Sequence, residues 1–483
     1  MYRKYLLLIM VAVFAMTLGA ENYEPVARRM CRKMNTGNTV ARRSAATDSA
    51  TAVQYLGDRH QLVVLASFSD LEFSEADPLP VWEKIFNQVD YQEAPFYGSV
   101  HDYFYDQSYG KLNLIFDLEV VALSSSRVKY RSTEEDDENS KYLVQDIIDS
   151  LQARHIDWAK YDWNGDGEVN QILIVYAGLG MNNGGDRNTI WPHQGWLSDH
   201  ENCESIAVGE GEGMRIVDSY CCVQELTGSR TYGVFGTICH EFSHCLGLPD
   251  IYYGNTTFLD HWDLMDSGNY NDGGFRPCGY SGFERMMVGW LTPTELKEET
   301  RITDMEALAS HEEAYIIYND AYKDEYYIVE NRQKVGWDEP LPGSGIIIFH
   351  VNYDENWKRT TVPNVPYNKK NLYIIPANNN TYFTTEANWP YPYRDNDSLT
   401  NNSQPASVLI NANVDGTKLM SKPITNMSVT NGLASFDFMK NNDEANAITM
   451  TTQSKSSKYS ILYTIGNVMI VRYDNGEVRK IMR

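Results

Sequence analysis

The sequence predicts an α/β domain, with helices packed on a twisted sheet, followed by an all-β sandwich domain. Two observations support this prediction. Before about residue 299, apolar runs that suit buried strands alternate with segments whose apolar residues recur at helical spacing. From residue 300 onward, short alternating runs are separated by Asn, Gly and Pro turns, which is typical of β-sandwiches. The first region therefore mixes helices and strands, and the second is all-β.

Hydrophobic periodicity locates the elements of the first region. Strands are predicted at residues 60–70, 111–123 and 170–180. Helices are predicted at residues 79–89, 99–110 and 141–155. The stretch SYCCVQEL, residues 219–226, is predicted to be an edge strand.

The composition excludes several classes of function. The chain of 483 residues carries a formal net charge of −24, so nucleic-acid binding is not expected, because contacts to phosphates need clustered Lys and Arg. After the N-terminus no window approaches 18 consecutive apolar residues, so no membrane span is expected. The seven cysteines match no structural zinc spacing. We therefore expect a mature protein that is soluble or tethered and does not span a membrane, and we expect it to be a monomer.

The N-terminus has the features of a secretory signal peptide, residues 1–20. Arg3 and Lys4 precede an apolar run that is too short to span a membrane, and small residues suited to cleavage follow it. Residues 21–55 are polar and basic and are interpreted as a short pro-segment, with a disordered mature N-terminus as the alternative. The protein is therefore expected to be secreted, either released or attached to the cell surface.

The stretch GTICHEFSHCLGLPD, residues 236–250, has the spacing of a zinc site. His240 and His244 are four residues apart, so on a helix both imidazoles face the same side and can bind one ion. Zinc lowers the pKa of a water molecule to about 7, and the neighbouring Glu241 carboxylate can take a proton as the water attacks a carbonyl. The pattern predicts a zinc hydrolase in which Glu241 is the general base and acid.

A catalytic zinc also needs a third protein ligand and an open position. Gly247 permits a sharp turn after the helix, and Pro249 prevents the helix from continuing. Asp250, ten residues after His240, can then return to the metal. These added offsets argue against the alternative, an ordinary amphipathic helix with exposed His and Glu. Met265, in DHWDLMDSGNY, is predicted to support the site in a methionine turn, as in proteases of the metzincin type.

Residues from about 57 to 355 resemble the immune inhibitor A family of secreted bacterial metalloendopeptidases. The resemblance rests on eight blocks in matching order: GSVHDYFYDQSYGKL, DWNGDGEVNQILIVYAG, IWPHQGW, GVFGTICHEFSHCLGLPDIY, WDLMDSGNY, GYSGFERMMVGWL, EYYIVENRQKVGWD and LPGSGIIIFHVN. It implies a metzincin-like catalytic domain, Zn²⁺, bound Ca²⁺, secretion as a zymogen and cleavage of protein substrates. By resemblance, His240, Glu241 and His244 carry over. The third ligand is Asp250 or, in an arrangement like that of gluzincins, Glu284.

The stretch DWNGDGEVN resembles part of an EF-hand loop. Carboxylate and amide side chains stand at its first, third, fifth and ninth positions, which are Asp162, Asn164, Asp166 and Asn170. The glutamate usual at the twelfth position is missing. We predict a structural calcium site here, with an Asx-rich turn held by its own side chains as the alternative.

Together these patterns predict a zinc metalloendopeptidase that acts on proteins or peptides. Cys31, in the pro-segment, is a candidate latency switch, because its thiolate could fill the open zinc position. The alternatives are a catalytically inactive adhesin or glycan-binding protein on a protease scaffold, and a zinc hydrolase of a non-peptide bond. The predicted segments are a signal peptide (1–20), a pro-segment (21–55), a catalytic domain (56–299), a β-sandwich domain (300–440), and a linker with a small C-terminal β unit that resembles a sorting module (441–483).

Overall fold

The computed structural model describes most of the chain in two units. The described residues are 55–133, 137–185, 188–254, 256–354, 357, 363–364, 370–440, 459–465, 468–473 and 478–482. The predicted signal peptide, Cys31 and all but the last residue of the predicted pro-segment lie outside these ranges. One compact unit extends to Phe438, and Met439–Arg483 forms the second.

A five-stranded sheet lies at the centre of the first unit. The strands up to residue 226 are β1 (Gly57–Ser67), β2 (Leu112–Ala122), β3 (Glu168–Val169), β4 (Ile172–Leu179), β5 (His193–Trp196), β6 (Ile206–Val208), β7 (Arg215–Val217) and β8 (Ser219–Leu226). The central sheet has the order β2-β1-β4-β8-β5, and β3, β7 and β6 form a small sheet of their own. In the central sheet, β2, β1, β4 and β8 are parallel to one another, and β5 pairs antiparallel with β8.

The strands predicted from periodicity correspond to β1, β2 and β4. The central residues of β1 and β4 are almost fully buried. The prediction that residues 219–226 form an edge strand was wrong. Strand β8 lies between β4 and β5, because His193–Trp196 pairs with its first half and takes the edge position. A strand of four residues is too short to leave a recognisable alternating pattern.

The described residues contain five α-helices: α1 (Leu79–Asn87), α2 (Val100–Gln107), α3 (Ser140–Gln152), α4 (Phe235–Cys245) and α5 (Gly282–Met287). The first three occupy the predicted helical segments. Helix α2 begins with a capping box, in which the Ser99 hydroxyl accepts from the Asp102 backbone N–H at 3.1 Å and the Asp102 carboxylate accepts from the Ser99 N–H at 2.9 Å. The first region is therefore a mixed α/β structure, as the sequence predicts.

Residues after the last helix of the first unit form two further sheets. Their strands are β9 (Thr294–Glu295), β10 (Thr300–Met305), β11 (Tyr315–Tyr318), β12 (Glu325–Arg332), β13 (Gly345–Asn352), β14 (Leu372–Ile374), β15 (Ile424–Thr430) and β16 (Leu433–Phe438). The sheet orders are β14-β13-β12-β11-β9 and β10-β16-β15. Because the first unit continues through this region to Phe438, a separate β-sandwich domain stays a prediction.

The second unit contains an antiparallel three-stranded sheet with the order β17 (Tyr459–Ile465), β18 (Val468–Tyr473) and β19 (Val478–Met482). Short strands were predicted at this end of the chain, and the sorting role suggested for them stays a prediction. Across the described part of the chain, no helix has both the length and the apolar character needed to cross a membrane.

Candidate metal centre

Helix α4 carries the two motif histidines and is fixed by its apolar neighbours. It packs on β8 and β5 on one side and on the 3₁₀ segment Gly268–Gly274 on another. Phe235 and Ile238 are fully buried, and each such side chain contributes about 2 kcal/mol of burial free energy. A Cβ on Gly236 would lie only 1.8 Å from the Asn269 carbonyl oxygen. Glycine is therefore required where the helix meets the 3₁₀ segment.

The chain reverses at the end of α4. Gly247 adopts a φ of +89°, a conformation that side chains other than that of glycine rarely adopt. Its N–H donates to the His244 carbonyl at 2.9 Å, and the Leu248 N–H donates to the Ser243 carbonyl at 3.2 Å. These bonds satisfy the last helical carbonyls. The turn directs the next residues, which include Asp250, back along the face that holds the histidines.

Three donor atoms converge beside the helix. His240 Nε2 lies 3.1 Å from Asp250 Oδ1, and His244 Nε2 lies 3.4 Å from the same oxygen. The donor atoms of the three side chains all lie within 4.8 Å of one another. A tetrahedral zinc with ligand distances of 2.0–2.1 Å separates its ligand atoms by about 3.4 Å. The spacing of this donor set therefore fits a small tetrahedral cation.

Backbone carbonyls orient both imidazole rings. His240 Nδ1 donates to the Leu264 carbonyl at 2.9 Å, and His244 Nδ1 donates to the Leu248 carbonyl at 2.8 Å. A carbonyl can only accept, so each Nδ1 carries a proton and each Nε2 is the atom that faces Asp250. Histidine ligands of metals are usually held in this way. Neither carbonyl partner could be predicted from the sequence, because every residue type carries a backbone carbonyl group.

The electrostatics of the three side chains also favour a bound cation. Burial lowers the pKa of His240, but the hydrogen bond with Asp250 and the negative charges of Glu241 and Asp250 together outweigh burial and raise that pKa to about 9. Burial also lowers the pKa of His244, but the charge of Asp250, its hydrogen bond and the charge of Glu241 together raise that pKa above its ordinary value. Burial raises the pKa of Asp250, but the two imidazoles hold it well below its usual range. Positive charge is thus stabilised where the donor atoms meet, and these residues fit a divalent zinc ion.

Glu241 lies beside the donor set without joining it. Its carboxylate Oε2 is 4.0 Å from His244 Nε2, and the side chain is buried. Burial raises the pKa of Glu241, although the neighbouring imidazoles oppose this effect. A carboxylate with a raised pKa is a better proton acceptor than an exposed one. The position and the electrostatics of Glu241 therefore suit proton transfer next to a metal.

Met265 lies in the segment that supports the donor set. It is fully buried, and its carbonyl accepts from the Ile251 N–H at 2.9 Å. Its own N–H donates to the Asp263 carboxylate at 2.9 Å. The preceding residue, Leu264, supplies the carbonyl that orients His240. The segment thus contacts the donor residue His240 and the residue next to Asp250, which is compatible with the supporting role predicted for Met265.

The structure places Glu284 in a different environment from Asp250. Its carboxylate caps helix α5, where it accepts from the Ser281 N–H at 2.6 Å and from the Ser281 hydroxyl at 3.0 Å. Burial raises the pKa of Glu284 to about 7. Among the described residues, the group of ligating atoms at the histidines contains Asp250 and not Glu284.

A second group of ligating side chains consists of Asp260, His261 and Glu386. His261 Nδ1 lies 3.1 Å from Asp260 Oδ1 and 3.0 Å from Glu386 Oε1. The two carboxylates raise the pKa of His261 to about 10. His261 is therefore a cation paired with two carboxylates.

The predicted calcium loop is closed by its own side chains. Asp162 accepts from the N–H groups of Gly165 and Asp166 at 2.8 and 3.1 Å and forms an ion pair with Arg215 at 2.7 Å. The remaining predicted ligands also make local contacts: Asn164 donates to Asp166 at 2.9 Å, and Asn170 accepts from the Trp163 N–H at 2.6 Å. These are the contacts of an Asx-rich turn, and calcium binding stays a prediction.

An α/β domain that presents two oriented imidazoles, a returning carboxylate and a buried glutamate around one helix defines a metallopeptidase-type domain. Residues 57–292 match the family described as immune inhibitor A peptidase M6, catalytic domain. The match supports an immune inhibitor A-like metalloprotease family for this region of the chain.

Two relatives extend this comparison. The chain is 27% identical over 178 residues to the pre-pro-metalloprotease PrtV of Vibrio cholerae serotype O1, which covers 32% of this chain and 19% of PrtV. It is 29% identical over 150 residues to immune inhibitor A of Bacillus thuringiensis subsp. alesti, which covers 27% of this chain and 20% of that protein. The similarity therefore spans about a fifth of each relative's length.

Proposed function

We propose that the chain is a zinc-dependent endopeptidase that hydrolyses peptide bonds of protein substrates. The observation that carries the proposal is the convergence of His240, His244 and Asp250, with atoms 3.1 and 3.4 Å apart, next to the buried Glu241. The family of residues 57–292 and the metalloprotease named among the relatives support it. Bound zinc would supply a Lewis acid that polarises the substrate carbonyl and acidifies a water molecule.

The side chains of the chain have distinct roles in this reaction. The imidazoles of His240 and His244 and the carboxylate of Asp250 hold the cation, and their carbonyl partners keep the imidazole Nε2 atoms directed at it. Glu241 takes a proton from the attacking water and gives it to the leaving amine. Burial assists this transfer, because it raises the pKa of the Glu241 carboxyl group.

Three further features belong to the proposal on sequence grounds. Residues 1–20 direct export, residues 21–55 are a pro-segment that keeps the enzyme latent, and Cys31 is its candidate switch. The loop that contains Asp162 and Asp166 binds structural calcium. N-terminal sequencing of the exported protein and its calcium content test these features.

Glu241→Gln in the exported protein, after removal of the pro-segment, tests the catalytic proposal. The amide keeps the shape of the side chain but cannot accept the proton, so casein cleavage should fall by about 10²–10⁴-fold. Zinc content, measured by elemental analysis, should remain that of the wild type. Glu298→Gln, at an exposed glutamate, is the matched control and should cleave casein at the wild-type rate.

Casein cleavage measured with and without a zinc chelator distinguishes the proposed endopeptidase from the alternative functions. A zinc chelator should abolish casein cleavage by the wild type, and added zinc should restore it. Cleavage that resists the chelator, or substantial cleavage by Glu241→Gln, would overturn the proposed mechanism. A wild type without its pro-segment that binds zinc and cleaves no protein would indicate an inactive scaffold or a hydrolase of another bond.

A further inference from the structure

The segment Trp262–Met265 positions two of the three donor residues. The Leu264 carbonyl orients His240 through Nδ1 at 2.9 Å. The Met265 carbonyl accepts from Ile251, the residue after Asp250, at 2.9 Å. A shift of this segment would therefore move an imidazole and a carboxylate together. What holds the segment in place also determines the geometry of the metal centre.

One support of the segment is the buried side chain of Asp263. Its Oδ1 accepts from the Met265 N–H at 2.9 Å, and its Oδ2 accepts from the Ser281 hydroxyl at 3.3 Å. The N–H of the next residue, Gly282, donates to Glu330 Oε2 at 2.6 Å. Glu330 belongs to β12 and is fully buried. A hydrogen-bonded path thus connects β12 to the segment.

Arg332, on the same strand, makes a second and more direct connection. It is fully buried, and its guanidinium donates to both oxygens of Asp338, at 2.7 and 2.8 Å, and to Glu330 at 3.2 Å. It also donates to the backbone carbonyls of Trp262, at 3.4 Å, and Gly279, at 3.0 Å. A buried guanidinium needs partners for its donors. Arg332 therefore fixes both carbonyls relative to β12.

We propose that Glu330 and Arg332 are positioning residues for the metal centre and act through the segment Trp262–Met265. The inference rests on the proposed zinc function and deepens it. Both residues lie outside residues 57–292, the part that matches the family's catalytic domain. The metal centre thus depends on a strand beyond that match. Partners that orient ligands in this way usually contribute 10–100-fold to metal affinity.

Arg332→Met in the full chain tests the proposal, with Arg285→Met as the matched control. Arg285 is also buried, but it donates to the Tyr280 carbonyl at 3.1 Å and to the Gln107 side chain at 3.0 Å. Both variants should lower the melting temperature, because both remove a buried cation. Only Arg332→Met should weaken zinc binding, by about 10–100-fold in competition with a chromophoric chelator. It should also change the visible absorption of the cobalt-loaded protein, which reports ligand geometry.

Ser281→Ala provides a milder test if Arg332→Met does not fold. It removes the hydroxyl that contacts Asp263 and that also takes part in the capping box with Glu284, and it leaves every charge in place. A severalfold loss of zinc affinity with a changed cobalt spectrum would support the proposal. If Arg332→Met folds and has the zinc affinity and cobalt spectrum of Arg285→Met, the proposal is overturned. If Arg332→Met does not fold, a Ser281→Ala protein with the zinc affinity and cobalt spectrum of the wild type would overturn it. A wild type that takes up no zinc would instead overturn the proposed function, and this inference with it.

Discussion

Two clusters of histidine and carboxylate side chains lie in the first unit and differ in how their histidines are held. The first consists of His240, His244 and Asp250, and the second of Asp260, His261 and Glu386. Both bring an imidazole nitrogen within 3.0–3.4 Å of a carboxylate oxygen. Residue types and distances alone therefore do not distinguish them.

The orientation of the imidazole rings distinguishes the clusters. In the first, backbone carbonyls bind both Nδ1 atoms and leave both Nε2 atoms to converge on one point. In the second, the Nδ1 atom of His261 contacts the two carboxylates, and the His261 side chain is 40% exposed. Glu386 also accepts from the His261 N–H at 3.3 Å. The second cluster has the geometry of an ion pair that joins residue 386 to residues 260–261, and the geometry of the first fits the metal site that we propose.

Exchanging one carboxylate in each cluster for its amide should give the largest contrast. Asp250→Asn weakens a donor that a catalytic zinc needs, so zinc content should fall from about one equivalent to well below half. Casein cleavage should fall with it. Glu386→Gln should retain about one equivalent of zinc, because it alters only the ion pair. Elemental analysis of both dialysed variants measures the difference. Equal zinc contents would remove the distinction between the clusters.

Removing His261 should have a smaller effect, on stability alone. His261→Ala leaves two carboxylates without their cation and should cost about 1–2 kcal/mol of unfolding free energy at pH 6. The folded-state pKa of His261, about 10, lies above the ordinary value of 6.5. The contribution of the His261 ion pair to the free energy of unfolding is therefore fully present below pH 6.5 and is lost as the pH rises to about 10.

Urea denaturation at pH 6, 8 and 10 measures this contribution, and the Glu241→Gln background prevents self-digestion. The difference between wild type and His261→Ala should shrink as the pH rises. His311→Ala is the control, because that histidine is half-exposed and faces a single exposed carboxylate, Glu306, at 2.9 Å. A difference for His261→Ala that stays constant from pH 6 to 10 would contradict the ion-pair interpretation.

Sequence periodicity accounts for the local part of the fold and of the candidate centre. The four-residue spacing of His240 and His244 places both on one side of a helix, and the glycine at residue 247 permits the turn that returns Asp250. The strands β1, β2 and β4 and the first three helices are long enough to show their period. All of these features depend on residues within about fifteen positions of one another.

Contacts between distant segments were not predictable in the same way. Glu386 lies 125 positions from its partner His261, and Arg332 lies 70 positions from the Trp262 carbonyl. The periodicity of apolar residues does not predict such pairs. A buried charged residue interrupts the apolar pattern, but the pattern does not indicate which distant residue it contacts. The same reasoning applies to β5, whose four residues are defined by pairing with β8.

Glu284, the other carboxylate that the sequence offered as a ligand, should give the smallest effect and the sharpest test of the third donor. Burial raises its folded-state pKa to about 7 from the ordinary 4.5. Between these values the unfolded carboxyl group ionises while the folded one stays protonated. The wild type should therefore lose stability as the pH rises from 4.5 to 7.

Glu284→Gln should remove this dependence, because glutamine does not titrate and can still complete the capping box with Ser281. The melting temperature of the Glu241→Gln protein that also carries Glu284→Gln should therefore rise relative to that of Glu241→Gln alone as the pH is raised from 4.5 to 7. Zinc content should stay at about one equivalent, since Asp250 and not Glu284 meets the histidines. Loss of zinc in Glu284→Gln would transfer the third ligand to this residue and reverse the assignment. A difference between the two melting temperatures that stays constant from pH 4.5 to 7 would mean that another carboxyl group carries the proton, and Asp263, whose pKa is raised by burial and by the nearby charge of Glu284, is then the next candidate.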